Sequence, residues 1–250
     1  MENIYEQTVE IKTDHVDCEN YYSLIGIMSH IQDVVNEHTF SLGVDFDNMT
    51  QKSNAFWVIL KMKLKIFKYP RWTDKVKVKT YPLPPSLVRC DRESVITDGS
   101  GGIVAVSSGE WCILDMDTKR PRKISTCCYP VELVHDMPRV LPERAERLVC
   151  DFSESDLCYE KTVRYSDLDL NYHTNNISYT KFALDSFSAE FFRNKVISEY
   201  DINFENQSYE GDVIGIYRKE TSPGTYMLAG ILKADGKRIF TVKMSLIERN

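Results

Sequence analysis

The sequence predicts an α+β protein made of two similar halves, each with one long helix and several antiparallel strands. The pentapeptide YEQTV at residues 5–9 recurs as YEKTV at residues 159–163, an offset of 154. In both halves it precedes a segment with apolar residues at helical spacing, and then segments in which apolar and polar residues alternate. A helix with one apolar stripe packed on a sheet with one apolar face is an α+β unit.

One long helix is predicted in each half from apolar residues that recur every three or four positions. In the first half these residues are Leu24, Ile27, Met28, Ile31, Val34 and Val35. In the second half they are Ile177, Ala183, Leu184, Phe187 and Phe191. Each stripe is expected to face the sheet of its own half.

Strands are predicted after each helix. The first half contains KMKLKIF and KVKVKTY, and the second contains YDINFEN and DVIGIYRKE. Each half also has an Asp-Gly pair between alternating segments, Asp98-Gly99 and Asp235-Gly236, which is a strong signal for a β-hairpin. The proline-containing stretch between the halves predicts a linker, so the chain divides into residues 1–130, a linker at 131–155 and residues 156–250.

Composition limits the classes of function. The 250 residues are 42% hydrophobic and 27% charged, as in globular proteins, and no apolar run approaches the ~18 residues of a membrane span. A net charge of −6 argues against a nucleic-acid partner. Seven cysteines without CxxC spacing, together with an N-terminus unlike a signal or transit peptide, predict reduced thiols in the cytoplasm and no metal site.

A lysine-rich stretch at residues 61–79 contains a single acidic residue, Asp74. Alternating lysines on a strand are most simply a solvated face. They also offer a docking surface for an acidic partner, because opposite potentials steer encounter.

Candidate functional side chains concentrate in YEKTVRYSDLDLNYHTNN, residues 159–176. Asp169, Asn171 and His173 alternate with other residues, so in an extended loop they would point to the same side. Leu168 and Leu170 would then point elsewhere and anchor the loop in apolar surroundings. The alternation therefore predicts a cluster of one carboxylate, one amide and one imidazole.

The first half lacks this set in the register of the repeat. The residues opposite it at the offset of 154 are His15, Asp17 and Glu19. The second helix is predicted to begin near Ile177, and the free N–H groups of a helix start favour a developing negative charge. We therefore predict that the backbone around Asn175 and Asn176 binds the oxyanion formed when a substrate carbonyl is attacked.

The segment RYSDLDLNYHTNNISYTKF resembles the signature of the acyl-acyl carrier protein (acyl-ACP) thioesterases. The first half is similar to the same family in LGVDFDNM, in the tryptophan-led segment AFWVILKMKLKIFKYPRWTDKVKVKTYP, and in GEWCILDMDTKRPRKI. Because both halves match in order, the resemblance covers nearly the whole chain.

The resemblance implies a tandem hotdog fold, in which each of two long helices is wrapped by an antiparallel β-sheet. It also implies hydrolysis of fatty acyl-ACP to free fatty acid and holo-ACP in fatty acid biosynthesis, without a cofactor, at a site in the C-terminal half. The partner would be an acyl carrier protein whose acyl chain is linked through 4′-phosphopantetheine. Asp169, Asn171 and His173 match the family's Asp-x-Asn-x-His. The sequence leaves open whether two chains form a homodimer.

The sequence departs from the family pattern on the strand after the second helix. Gln207 and Ser208 stand where the family has a glutamate and a cysteine. A cysteine nucleophile is therefore not expected, and an amide cannot take up a proton at neutral pH. Gln207 is instead expected to position water, and Glu205 and Glu210 are the nearby acids that would compensate for the missing glutamate.

We expect hydrolysis by water without a metal, with His173 as the general base. Asn171 would orient the carbonyl or the water. Asp169 would either align these residues or attack the thioester itself, and both roles stay open. The acyl chain needs an apolar tunnel between helix and sheet, and Trp57 is a candidate to line it, although ordinary core packing is the simpler explanation for a tryptophan there.

Three other functions are compatible with the sequence. One is an acyl-CoA thioesterase of the hotdog superfamily. A hotdog dehydratase would need an acid on the second helix, where Asp185 and Glu190 are the candidates. A non-catalytic acyl-binding protein would keep the fold, and Gln207 in place of the family's glutamate favours that alternative.

Overall fold

The computed structural model describes residues 3–249, and the chain forms two compact units. The first unit runs to Ala145 and the second begins at Glu146, so the division falls within the segment predicted as a linker. Among the described residues, no helix has the length and hydrophobicity that a membrane crossing requires.

Within residues 3–249, each unit contains five strands and two α-helices, besides short 3-10 turns. In chain order the first unit has β1 (Tyr5–Glu10), α1 (Leu24–Ser41), α2 (Phe46–Ser53), β2 (Ala55–Ile66), β3 (Lys75–Pro82), β4 (Arg89–Asp98) and β5 (Ile103–Asp115). The second unit has β6 (Leu157–Thr162), α3 (Asn176–Leu184), α4 (Ala189–Phe192), β7 (Lys195–Phe204), β8 (Val213–Ser222), β9 (Thr225–Leu232) and β10 (Arg238–Glu248).

The sheets of the two units have the same strand order. It is β1-β3-β4-β5-β2 in the first unit and β6-β8-β9-β10-β7 in the second, with every neighbouring pair antiparallel. In both units the first strand pairs with the third, and the second strand pairs with the fifth. This shared order confirms the predicted duplication of an α+β unit.

Both predicted Asp-Gly hairpins are present. At the β4–β5 turn, Oδ1 of Asp98 accepts hydrogen bonds from the N–H groups of Ser100 (3.0 Å) and Gly102 (2.8 Å). At the β9–β10 turn, Gly236 adopts a φ of +71°, which glycine tolerates without steric cost.

α1 forms where the helical spacing predicts it. The Ser23 hydroxyl caps its start by accepting a hydrogen bond from the N–H of Gly26 at 3.0 Å. The apolar stripe, which includes Ile27, Ile31 and Val34, is buried as the helix packs against β1 and β3. Each such side chain contributes about 1.5–3 kcal/mol by leaving water.

The single long helix predicted for the second unit is interrupted. α3 ends at Leu184, and the separate turn α4 begins at Ala189. The serines of this stretch bind backbone groups in place of a continuous helix: the Ser186 hydroxyl donates to the Ala183 carbonyl at 2.7 Å, and the Ser188 hydroxyl caps α4. Because the apolar residues keep helical spacing across the break, periodicity alone predicted one continuous helix.

His30 on α1 is buried and makes folding dependent on pH. Its Nδ1 lies 2.6 Å from the Tyr22 hydroxyl, and its ring lies 4.1 Å from that of His15. Burial, and then the neighbouring His15, lower the pKa of His30 to about 4, while Asp14 acts in the opposite direction. The folded state therefore favours neutral His30, and the stability that this confers is present above pH ~6.5, the ordinary histidine pKa, and is lost as the pH falls towards 4.

We expect the free energy of unfolding to decrease between pH 6.5 and 4 by at most about 1.4 kcal/mol per pH unit on account of His30. Urea titrations across this range measure the slope. His30→Phe should flatten it, whereas His135→Phe, at an exposed position, should leave it unchanged. An equal slope in His30→Phe would assign the dependence to other groups.

Candidate active site

The polar segment before α3 folds into a tight turn and not into an extended strand. The N–H of Asp169 donates to the His173 carbonyl at 2.8 Å, and the N–H of Tyr172 donates to the Asp169 carbonyl at 3.1 Å. An isolated antiparallel bridge joins Leu168 to Thr174 and closes the turn. We call residues 168–174 the second-unit turn; chain reversal brings the backbones of Asp169, Asn171 and His173 together, where alternation along an extended loop had been expected.

The Asp169 carboxylate organises the second-unit turn. Its Oδ1 accepts hydrogen bonds from the N–H of Asn171 at 2.8 Å and from the N–H of His173 at 3.3 Å. Within residues 3–249, Oδ2 has no hydrogen-bond partner. One oxygen of Asp169 thus positions the other two predicted site residues, and the second oxygen stays available.

The first unit contains the same turn at residues 16–22, the first-unit turn. The N–H of Asp17 donates to the Tyr21 carbonyl at 2.8 Å, and Oδ1 of Asp17 accepts from the N–H groups of Glu19 and Tyr21, both at 2.9 Å. A bridge between Val16 and Tyr22 closes it. The hydrogen bonds of one turn therefore correspond to those of the other.

The structural correspondence corrects the register predicted from the repeat. The strands correspond at an offset of 154, but the turns correspond at 152, because the first unit has two more residues between strand and turn. The counterparts of Asp169, Asn171 and His173 are Asp17, Glu19 and Tyr21. The predicted register, which set His15 opposite Asp169, is therefore wrong at the turn: the first unit shares the aspartate and lacks the amide and the imidazole of the set.

Asp167 anchors the turn to the helix. Its buried carboxylate accepts a hydrogen bond from the N–H of Arg164 at 2.8 Å and pairs with the Lys161 ammonium at 3.0 Å. Its carbonyl accepts from the N–H of Asn175 at 2.8 Å and from the Ser178 hydroxyl at 3.0 Å. These contacts give Asp167 a structural role.

The start of α3 separates the two asparagines predicted to bind substrate. Oδ1 of Asn175 caps the helix by accepting from the N–H of Ile177 at 2.8 Å, and its own N–H is bound to Asp167. The expected oxyanion role of the Asn175 N–H is therefore wrong. Asn176 is the first helical residue, so its N–H has no carbonyl four positions earlier within the helix and can donate a hydrogen bond to a ligand.

Ser208 is a buried structural residue. It has no exposed surface, and its hydroxyl lies 2.7 Å from the Thr174 hydroxyl and 3.0 Å from the Tyr179 hydroxyl. The N–H of Thr174 donates to the Ser208 carbonyl at 3.0 Å. The three residues tie the second-unit turn to α3 and to the segment after β7. No sequence pattern identified Tyr179, although the unbroken run of polar residues 178–181 within α3 was a usable signal.

Gln207 reaches the turn through Tyr209. The Tyr209 ring stands edge-on to the half-buried His173 ring, with centroids 5.1 Å apart, and its hydroxyl lies 3.5 Å from Oε1 of Gln207. No sequence pattern identified Tyr209. Glu205 does not replace the missing acid in this arrangement, because its Oε1 accepts a hydrogen bond from the Thr241 hydroxyl at 2.6 Å.

Trp57 belongs to the core of the first unit. Its indole N–H donates to the Val44 carbonyl at 3.0 Å, and its ring stands edge-on to Tyr129 at 5.6 Å. It packs on a buried cluster that also contains Met49 and Ile113. These contacts give Trp57 the core-packing role, and its predicted part in substrate binding gains no support from them.

Two family models match the chain. The model of the acyl-ACP thioesterase N-terminal domain covers residues 2–129, and that of the C-terminal domain covers residues 153–245. Together they include both turns and Gln207.

Curated relatives are similar at low identity. The oleoyl-acyl carrier protein thioesterase 1 of Arabidopsis thaliana chloroplasts is 23% identical over 232 residues, which are 87% of this chain and 64% of that protein. The chloroplastic palmitoyl-acyl carrier protein thioesterase of Cuphea hookeriana is 24% identical over 82% of this chain and 52% of that protein. The chain thus spans between half and two thirds of the length of these relatives.

Solved structures share the fold over the full chain. An acyl-ACP thioesterase from Bacteroides thetaiotaomicron superposes with a TM-score of 0.88 at 20% identity and covers 98% of both chains. The 12:0-ACP thioesterase from Umbellularia californica superposes with a TM-score of 0.87 at 18% identity, over 100% of this chain and 99% of that chain.

Proposed function

The chain belongs to the acyl-ACP thioesterase family, and we propose that it hydrolyses the thioester of fatty acyl-ACP to a free fatty acid and holo-ACP. The fold is the tandem hotdog of that family. The observation that carries the proposal is the second-unit turn, where Asn171 and His173 occupy a backbone that the first unit also has but equips with Glu19 and Tyr21.

His173 acts as the general base in the proposed mechanism. It removes a proton from water as the oxygen attacks the thioester carbonyl carbon, a function that typically contributes about 10²–10⁴-fold to a rate. The N–H of Asn176 donates to the oxyanion, and one such donor lowers a barrier by about 3 kcal/mol. When the tetrahedral intermediate collapses, the C–S bond breaks and the proton on His173 passes to the leaving thiolate.

Asn171, Asp169 and Gln207 position the reactants. Asn171 shares the turn with His173, and its exposed amide orients the carbonyl or the water. Asp169 holds the turn through Oδ1, and its available Oδ2 keeps direct attack on the thioester as the alternative role. The amide of Gln207 orders the attacking water by hydrogen bonding, since it cannot take up the proton.

A thiol-release assay tests the proposal. The substrates are acyl-ACP and acyl-CoA of matched chain lengths, and the control is His173→Ala. We expect release from acyl-ACP that His173→Ala abolishes. Equal turnover of acyl-CoA would favour the acyl-CoA thioesterase alternative, and acyl binding without thiol release would favour the acyl-binding alternative.

The proposal includes electrostatic steering of the acidic carrier by the lysine-rich residues 61–79. Three of its lysines already pair with acids of the first unit: Lys61 with Glu110 at 3.9 Å, Lys68 with Asp98 at 2.6 Å and Lys77 with Glu6 at 3.1 Å. We expect kcat/KM for acyl-ACP to fall with added salt while that for a carrier-free thioester stays constant. A salt dependence common to both substrates would contradict steering.

We further propose that the protein acts in fatty acid biosynthesis in the cytoplasm. All seven cysteines are free thiols, which supports a reducing compartment, while the plant relatives are named as chloroplastic. A homodimer stays a prediction, and sedimentation velocity of the purified protein measures it.

A further inference from the structure

The second-unit turn and the residues just before it expose three large apolar side chains. Leu170 is 97% exposed, Tyr165 is 83% exposed and Tyr172 is 79% exposed. They are the three most exposed large hydrophobic residues within residues 3–249. The expectation that Leu170 anchors the loop in apolar surroundings is therefore wrong, and its exposure needs another explanation.

The first unit shows that the backbone does not require these residues. The corresponding positions of the first-unit turn and its approach are all exposed and carry Thr13, Cys18 and Asn20. Asn20 adopts a φ of +64° and Tyr172 a φ of +59°, a region that asparagine enters readily and a bulky aromatic residue does not. The second unit thus keeps large apolar groups, one of them in an unfavourable backbone conformation, where small polar groups support the same turn. Such costs point to a function for the side chains themselves.

We propose that Tyr165, Leu170 and Tyr172 form the surface on which the acyl carrier protein docks. This inference rests on the proposed function, since it concerns how the carrier delivers its thioester to His173. In the chain, Asn171 lies between Leu170 and Tyr172, and His173 directly follows Tyr172. The thioester must come within reach of His173, which lies on this turn, so a carrier that delivers it approaches the surface of the second unit from which these side chains project.

The side chains of this surface suit transient binding of a carrier protein. Exposed tyrosine and leucine lose water when a partner covers them, and tyrosine is frequent among the residues that dominate interface energies. Arg164, next to Tyr165, is exposed and forms no ion pair with the described residues, so it offers a cation to the phosphate of the 4′-phosphopantetheine arm. Three side chains and one cation make a small contact, as expected of a transient encounter.

The test replaces the three residues with the polar types of the first unit. The triple variant carries Tyr165→Thr, Leu170→Ser and Tyr172→Asn, with serine in place of an exposed cysteine. Its kcat and KM are measured with acyl-ACP and with the same acyl chain on pantetheine. We expect KM for acyl-ACP to rise at least about tenfold, with kcat for both substrates and KM for acyl-pantetheine within about twofold, as for loss of a partner contact.

Matched controls remove exposed apolar side chains elsewhere in the second unit. Val149→Ser and Ile247→Ser, whose side chains are 74% and 51% exposed, should leave both substrates unaffected. Unchanged KM for acyl-ACP in the triple variant would overturn the proposal. Equal losses with both substrates would overturn it as well, because the residues would then organise the site and not the docking.

Two further measurements separate this proposal from the proposed function. If the unaltered protein hydrolyses neither substrate, the hydrolase assignment fails, and calorimetric titration with holo-ACP still tests docking: binding that the triple variant loses supports it, and no binding overturns it. Sedimentation velocity tests a second copy of the chain as the occupant. Self-association that the triple variant abolishes would replace the carrier with that copy.

Discussion

Replacing His173 with alanine is expected to lower kcat/KM for acyl-ACP hydrolysis by at least about 100-fold, because general-base assistance typically contributes 10²–10⁴-fold. The fold should be retained. The backbone of the second-unit turn is fixed by the Asp169 carboxylate and by the Leu168–Thr174 bridge, and neither uses the imidazole. Thiol release at saturating and at limiting acyl-ACP gives kcat and KM separately, and the loss should fall mainly on kcat.

The first unit supplies the control for this experiment. Tyr21 occupies the place of His173 on the same backbone, so Tyr21→Ala should alter stability but leave thiol release within about threefold, as expected of a residue outside the site. Near-normal hydrolysis by His173→Ala would remove His173 from the mechanism. Comparable losses in both variants would mean that turn integrity, and not the imidazole, limits the rate.

The second large effect concerns the paired aspartates. Asp169→Ala and Asp17→Ala each remove a carboxylate that accepts two backbone hydrogen bonds, so each is expected to lower the free energy of unfolding by about 1–3 kcal/mol. Only Asp169→Ala should also lower kcat/KM, by at least about 100-fold, because it frees the backbone that positions Asn171 and His173. Chemical unfolding and the thiol-release assay measure the two effects on the same samples.

Asparagine at position 169 separates the two roles left open for this residue. Its side-chain oxygen still accepts the hydrogen bonds of the turn but is a poor nucleophile. If Asp169 organises the turn, Asp169→Asn should retain much more activity than Asp169→Ala, and this is the result we expect. Equal and complete loss in both variants, with the stability of Asp169→Asn preserved, would assign direct attack to the carboxylate.

Local patterns identified the architecture and the segment that carries the site. Alternation, helical spacing and two Asp-Gly pairs are encoded in neighbouring residues, so the strands, α1 and the hairpins were predictable. Periodicity failed at residues 185–188, where serine hydroxyls compete for backbone groups while the apolar spacing continues. The near-repeat of five residues also aligned the first strands of the two units, β1 and β6. It could not reveal the two additional residues before the first-unit turn.

The contacts that complete the site come from distant parts of the chain. Thr174 and Tyr179 meet Ser208, and His173 meets Tyr209, across about 30 residues of intervening sequence. Such contacts depend on how α3 packs beside the end of β7, which no local pattern specifies. The sequence likewise allowed two roles for Trp57, substrate binding and core packing. Its hydrogen bond to Val44 favours core packing.

Because the two units share this turn, the site residues of the second unit can be introduced into the first unit by substitution. Four substitutions would write the Asp-Leu-Asn-Tyr-His of residues 169–173 onto residues 17–21, because Asp17 is already in place with its hydrogen bonds. One obstacle is specific: the Tyr21 hydroxyl accepts a hydrogen bond from Arg71 at 2.7 Å, and that guanidinium lies 4.2 Å from the ring centroid. A histidine introduced at position 21 would lie beside this cation. A protein with an active site in each unit would therefore also need a substitution of Arg71.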